Sequence, residues 1–251
     1  MARSGGFGDE LCVMTTEVSS ALSRLDCNKF LDIRHINGGI RNAAAEGGRI
    51  AVDRPEARHN LAVAPGRQGS ISIFGSVGAF CGAQNTGAVV HVHGSAGWGV
   101  AEGMAEGFVR VDGSAAAAAG AAMSGGVLHI RGSAGPRAGA VMSGGAIVVE
   151  GHLGTEAAQW ARGGTLVGLG NAGPSAGAAM QPSAELWVRG TVVSLGPYAV
   201  AATPTAVQRE RLRRILGHVG TEVSGTAAFA EWTLIVSSAG HDDTAEPSAR
   251  G

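Results

Sequence analysis

Glycine recurs with a fixed period through the middle of this chain, and that period restricts the possible fold more than any other feature. Seven short apolar runs each close on a glycine: Gly75, Gly94, Gly113, Gly132, Gly151, Gly170 and Gly190. The successive spacings are 19, 19, 19, 19, 19 and 20 residues. Such a period marks stacked repeats, each too small to bury an apolar face alone. A small-residue turn follows each anchor, as in Gly75-Ser-Val-Gly78 and Gly132-Ser-Ala-Gly135. A further glycine often comes seven residues on (Gly82, Gly120, Gly139, Gly177) and a methionine ten residues on (Met104, Met123, Met142, Met180).

The runs alternate. Four and two residues before the anchors stand Ile71 and Ile73, Val90 and Val92, Val109 and Val111, Leu128 and Ile130. Between them are Ser72, His91, Arg110 and His129, and then His93, Asp112, Arg131 and Glu150. Side chains alternate faces along a strand, so the apolar set points inward and the mixed set outward. A repeat of 19 residues has no room for a crossover helix. The economical solution is an all-β, right-handed parallel β-helix with one repeat per coil and strands stacked about 4.8 Å apart. Glycines serve the corners, and the methionines fill the axial core beside alanine and glycine.

The flanks depart from the period. Residues 1–28 read as an arm followed by a short helix, Thr15 to Leu25, with Val18, Leu22 and Leu25 on one side. The β-helix is expected over 29–200, with regular coils over 70–190. Its irregular first coils would hold strands at Phe30–Ile36, Arg49–Val52 and Asn60–Val63. Gln181-Pro-Ser183 marks a corner insertion. Residues 201–238 read as a C-terminal helix and cap. Thr203 would be the N-cap and Pro204 the first helical residue, with Leu212, Ile215, Leu216 and Val219 on one face and Gly217 or Gly220 near the end. This helix is expected to cover the last coil, with Phe229 and Trp232–Val236 beside it as a strand. Residues 239–251 read as a disordered tail.

Composition removes several function classes. The net charge of −1 gives no basic footprint for nucleic acid. No apolar run reaches 18 residues, so no membrane span is expected, and the N-terminus lacks an apolar signal core. Cys12, Cys27 and Cys81 have no metal-ligand spacing and read as reduced thiols of a cytoplasmic protein.

Motifs dissolve into the repeat. Gly168-Leu-Gly170-Asn-Ala-Gly173 matches the dinucleotide fingerprint, but Pro174 and Gly177 follow where the fingerprint needs a helix. His91 and His93 lie on the outward face, and spacing alone supplies no third metal ligand. They read as part of a charge ladder, His93–Asp112–Arg131–Glu150. Ser76, Ser95, Ser114 and Ser133 are repeat-position turn serines, and no nucleophile triad assembles. No catalytic, cofactor-binding or metal-binding residue is therefore expected. Trp98, Glu102 and Trp160 sit in turns and, with His91 and His93, are interface candidates. For the tryptophans, packing beneath the C-terminal segment is the alternative.

The repeated G-S-x-G…G-x-x-M-x-G-G pattern resembles the GXGXG domain at the C-terminus of the glutamate synthase large subunit. Its most specific stretch is GSVGAFCGAQNTGAVVHVHGSAGWGVAEGMAEG, Gly75–Gly107. It is also similar to the corresponding component of formylmethanofuran dehydrogenases, and most similar to stand-alone subunits of N-methylglutamate synthase-type complexes. The likeness covers roughly residues 50–220. It implies a non-catalytic scaffold in a hetero-oligomer. The implied partners are a class II glutamine amidotransferase subunit and a glutamate synthase-like subunit that holds FMN and an iron–sulfur cluster. No residue of either reaction carries over, and Cys81 is not the amidotransferase nucleophile because it lies inside a coil. The other readings are a formylmethanofuran dehydrogenase-like or formyltransferase/hydrolase assembly, and an independent carbohydrate-active β-helix.

Overall fold

The computed structural model describes residues 22–29, 32–221 and 229–240. The arm at 1–14, residues 15–21 of the expected helix, and 241–251 of the tail lie outside the described residues. The chain forms a parallel β-helix. Strands β1 (Leu22–Asp26), β2 (Arg49–Asp53), β3 (Ser70–Phe74), β4 (Thr86–Val92), β5 (Glu106–Val111), β6 (Val127–Ile130), β7 (Ser143–Val149), β8 (Gly163–Gly168) and β9 (Ala184–Val188) pair in sequence order, all parallel. A second stack runs just after the anchors, Val77–Ala96–Ala115–Ala134–Leu153–Ala172–Val192. Between β8 and β9 the offset grows by one, from Leu153↔Ala172 to Gly164↔Ala184, which accommodates the Pro182 corner.

The inward set is buried as the alternation predicts. Ile71, Ile73, Val90, Val92, Val109, Val111, Leu128 and Ile130 form one axial core with Met104, Met123, Met142 and Met180. The wall opposite has an unusual backbone. Five, seven and nine residues after each of the first six anchors the chain is left-handed: Ala118, Gly120 and Ala122 in one coil, Arg137, Gly139 and Val141 in the next. A non-glycine residue in this region costs about 1–2 kcal/mol. The alternation turns successive N–H groups toward opposite neighbours. Ala118 donates forward to Pro136 (2.8 Å), Gly120 back to Val100 (2.8 Å), and Ala122 forward to Ala140 (2.8 Å). Hydrogen bonds between coils thus offset the strain.

The anchors act by close approach. A Cβ on Gly151 would lie 2.8 Å from the Gly132 carbonyl carbon, and one on Gly94 2.6 Å from that of Gly75. The repeat serines form a third ladder. Ser76 Oγ accepts from the Ser95 N–H (3.1 Å), Ser95 Oγ from Ser114, Ser114 Oγ from Ser133, and Ser133 Oγ from His152 (3.0 Å).

The ends differ from the sequence expectations. Leu22–Leu25, expected in a helix, begin the first strand, whose offset to β2 is 27 residues (Leu22↔Arg49). Ile33–Ile36, expected in a strand, open helix α1 (Ile33–Ala45). Asp32 caps it by accepting from the Arg34 N–H, and Ile36, Ile40 and Ala44 close the end of the axial core. Phe30 and Leu31 lie outside the described residues. Asn60–Val63 is not a strand: Asn60, Ala62 and Ala64 are the left-handed positions of the first coil's wall. The strand at Arg49–Val52 is observed.

The second helix, α2 (Ala206–His218), is capped by Thr205 instead of Thr203. Thr205 and Gln208 form a reciprocal capping box, and Pro204 lies before the cap. Beyond the C-cap, Gly220 is left-handed, and Thr221 donates to the Leu216 carbonyl (2.9 Å). The helix supplies no residue to the axial core at the last coil. It lies against the outward face of the sheet, where Leu212 and Leu216 join Val148, Val167, Trp187, Phe229, Trp232 and Leu234 in a separate core. Two further strands extend the sheet instead: β10 (Ala199–Ala202) pairs with β11 (Thr233–Ser237), and β11 pairs with β9, both antiparallel. Among the described residues, no helix is long and apolar enough to cross a membrane.

Candidate functional site

The outward sheet face changes character along the stack. One register column runs Ser72–His91–Arg110–His129–Val148–Val167–Trp187. Its last three members are apolar and lie under α2 and the C-terminal strand segment. Arg211 on α2 pairs with Glu185 at 2.8 Å, and the Trp187 indole N–H donates to the same carboxylate (3.2 Å). Its first four members are polar and lie beyond that core.

The polar half gathers the expected histidines around a single carboxylate. His91 lies at the end of β4, His93 just past it, and Asp112 just past β5. His91 Nε2 is 2.8 Å and His93 Nδ1 3.3 Å from the same Asp112 oxygen, Oδ2. Arg110 donates to Oδ1 at 2.9 Å. Phe74, one coil back, stacks on the His93 ring (centroids 4.7 Å apart, planes 7° apart). The fold thus supplies the third ligand-type group that spacing along the chain did not. The signal was present, because Asp112 is one 19-residue period after His93.

The charge ladder is also present. Arg131 approaches Asp112 (3.9 Å) and Glu150 (4.0 Å). A diagonal that the sequence does not announce joins His129 Nε2 to Glu150 at 2.8 Å, repeating the His91–Asp112 diagonal. Burial opposes ionisation of Asp112, but hydrogen bonds from Arg110 and His91 hold its pKa down at about 2. Burial pushes His91 below the ordinary imidazole range; its hydrogen bond to Asp112 opposes this, and His93 adds to it. His129 is lowered for the same first reason, with Glu150 opposing and Arg110 and Arg131 adding to it.

The other candidates do not join this cluster. Trp98 and Trp160 stand on the turn wall, 46% and 57% exposed, and neither belongs to the core under α2. Trp98 packs edge-to-face on Phe80 of the preceding coil, with centroids 4.9 Å apart. Glu102 is partly buried on the same wall as Trp98. Cys81 is fully buried, and burial raises its thiol to about 12, so no thiolate forms near neutral pH. After Gly173 the chain continues through turns to β9 with no helix, and Gly170 and Gly173 pack against the backbone of Gly151 and Gly154. The repeat serines are committed to the backbone ladder described above.

Comparison with known proteins gives one partial likeness. No family model matches the chain. Over 77 residues it is 38% identical to protein GlxC of Rhizobium meliloti (strain 1021). That stretch is 30% of this chain and 34% of GlxC, so the match spans about a third of either protein.

Proposed function

We propose that this chain is a non-catalytic, structural subunit of a glutamate synthase-like complex. In this reading it holds a class II glutamine amidotransferase subunit against an FMN-binding synthase subunit. The observation that carries the reading is the glycine-anchored β-helix, which combines a GXGXG-type repeat with hydroxyls and amides committed to ladders between coils. A rigid body of this kind suits fixed spacing between enzymes better than turnover. The partial likeness to GlxC, 38% identical over 77 residues, supplies a relative for about a third of the chain. The exposed Trp98 and Trp160 supply aromatic anchors for partners.

Affinity purification of the full chain from its native cell tests this. The expected result is co-recovery of an amidotransferase chain and a flavin-containing chain, with the flavin absorbance staying on the partner after dissociation. Recovery of the chain alone, or with a metal-dependent amidohydrolase, would sink it. Trp160→Ala, which removes the more exposed of the two rings, should weaken association at least tenfold while leaving the melting temperature of the isolated chain unchanged.

A further inference from the structure

We propose that His91, His93 and Asp112 form a surface binding site for a divalent transition-metal ion of the Zn2+ or Cu2+ type. The three donor groups lie within 4.8 Å of one another. Both imidazole contacts converge on one carboxylate oxygen, at 2.8 and 3.3 Å. Ligands bound to one such ion at roughly 2.0–2.1 Å stand about 2.9–3.4 Å apart, so the observed contacts already have the spacing of a shared coordination sphere.

The surroundings orient the donors. His91 and His93 are i, i+2 neighbours at the end of β4, and Asp112 follows β5 one coil on, so a hydrogen-bonded parallel pair fixes their separation. Phe74 fixes the His93 ring by stacking. Arg110 holds Asp112 Oδ1 and leaves Oδ2 directed at the imidazoles. Supports of this kind, one step behind the ligands, set ring and carboxylate orientation in protein metal sites. The donor side chains are 29%, 32% and 25% exposed, so solvent reaches the site and further coordination positions stay open.

The donor set selects the ion. Two imidazoles with one carboxylate favour Zn2+, Cu2+ or Ni2+ over Mg2+ and Ca2+, which require mostly oxygen. Arg110 and Arg131 place positive charge near the carboxylate, which weakens the site relative to a closed structural one. All three donors come from this chain, so the site needs no partner subunit.

The test uses the full, untagged chain after treatment with a chelator. Titration with Zn2+ against a competing chromophoric chelator of micromolar affinity should give one ion per chain. His91→Ala, His93→Ala and Asp112→Asn should each weaken it at least tenfold, whereas His35→Ala, an exposed histidine on α1, should not. Cu2+ bound to the unaltered chain should show hyperfine coupling to two imidazole nitrogens, a readout that does not depend on any variant folding. No uptake against the chelator, uptake indifferent to all three substitutions, or a Cu2+ spectrum without two-nitrogen coupling overturns the proposal.

Discussion

Two kinds of backbone position hold this solenoid together, and they answer differently to substitution. Gly151→Ala places a Cβ 2.8 Å from the neighbouring coil's backbone, and no rotamer relieves it. Overpacking of this kind costs about 1–3 kcal/mol, read as a lower urea midpoint. Ala122 is the opposite case, an exposed residue held at φ 56°. Ala122→Gly removes left-handed strain of about 1–2 kcal/mol at a backbone-entropy cost of about 0.5–1 kcal/mol. The expected outcome is a neutral or slightly raised midpoint, contrary to the usual penalty for glycine. His129 gives a pH prediction. Its Nδ1 is buried without a partner among the described residues, so a proton there would add an unpaired donor. The folded pKa lies below the unfolded value of about 6.5, so the unfolded chain takes up the proton first. The contribution is neutral above pH 7 and turns destabilising as pH falls through about 6.5 toward the folded pKa. Urea midpoints at pH 7.5 and 5.5 should therefore differ, and His129→Asn should shrink that difference. An undiminished difference in the variant would assign it to another group.

At the scale of elements, α2 is attached by few but fully buried contacts. Leu216→Ala should cost about 2–5 kcal/mol, and Thr205→Ala about 1 kcal/mol through the lost cap. Both should red-shift emission from Trp187 and Trp232, which lie in the core under the helix, while the far-ultraviolet signal of the coils persists. The coils are legible in the sequence because their period is internal evidence: each residue is checked by its counterpart 19 positions away. The ends have no such counterpart. Ile33, Ile36, Ile40 and Ala44 have helical spacing, but Gly38-Gly39 interrupts it and Phe30–Ile36 reads as a strand until Asp32 is taken as a cap. Asn60–Val63 reads as extended because alternating left- and right-handed residues share the two-residue period of a strand. The position of α2 escapes the sequence reading for a different reason. Val148, Val167 and Trp187 break the polar outward column, and only that break forecasts what covers the sheet face. The histidine–aspartate cluster is half legible, since its members are in view but the diagonal contact between columns requires the stacked register.

For the whole molecule, the architecture makes length adjustable. Deleting residues 114–132 removes one 19-residue period and rejoins Gly113 to Ser133, restoring the Gly-Ser step. Because each coil contacts only its neighbours, the shortened chain should keep its β-type circular dichroism and a cooperative melt. A deletion of about half a coil should abolish both, because the strand and wall ladders would fall out of register. Equal collapse of the two deletions would mean that this coil holds a contact no other coil can replace. The left-handed wall has a further consequence. Nine residues past each of the first six anchors come Gln84, Gly103, Ala122, Val141, Trp160 and Ala179, in a row along one side of the stack. The backbone at these sites is set by bonds between coils, and the side chains point away from the axial core. The row is therefore a writable strip. Its lettering can change from alanine to tryptophan at a pitch of about 4.8 Å per coil without rewriting the interior, so one scaffold could acquire new recognition codes one coil at a time.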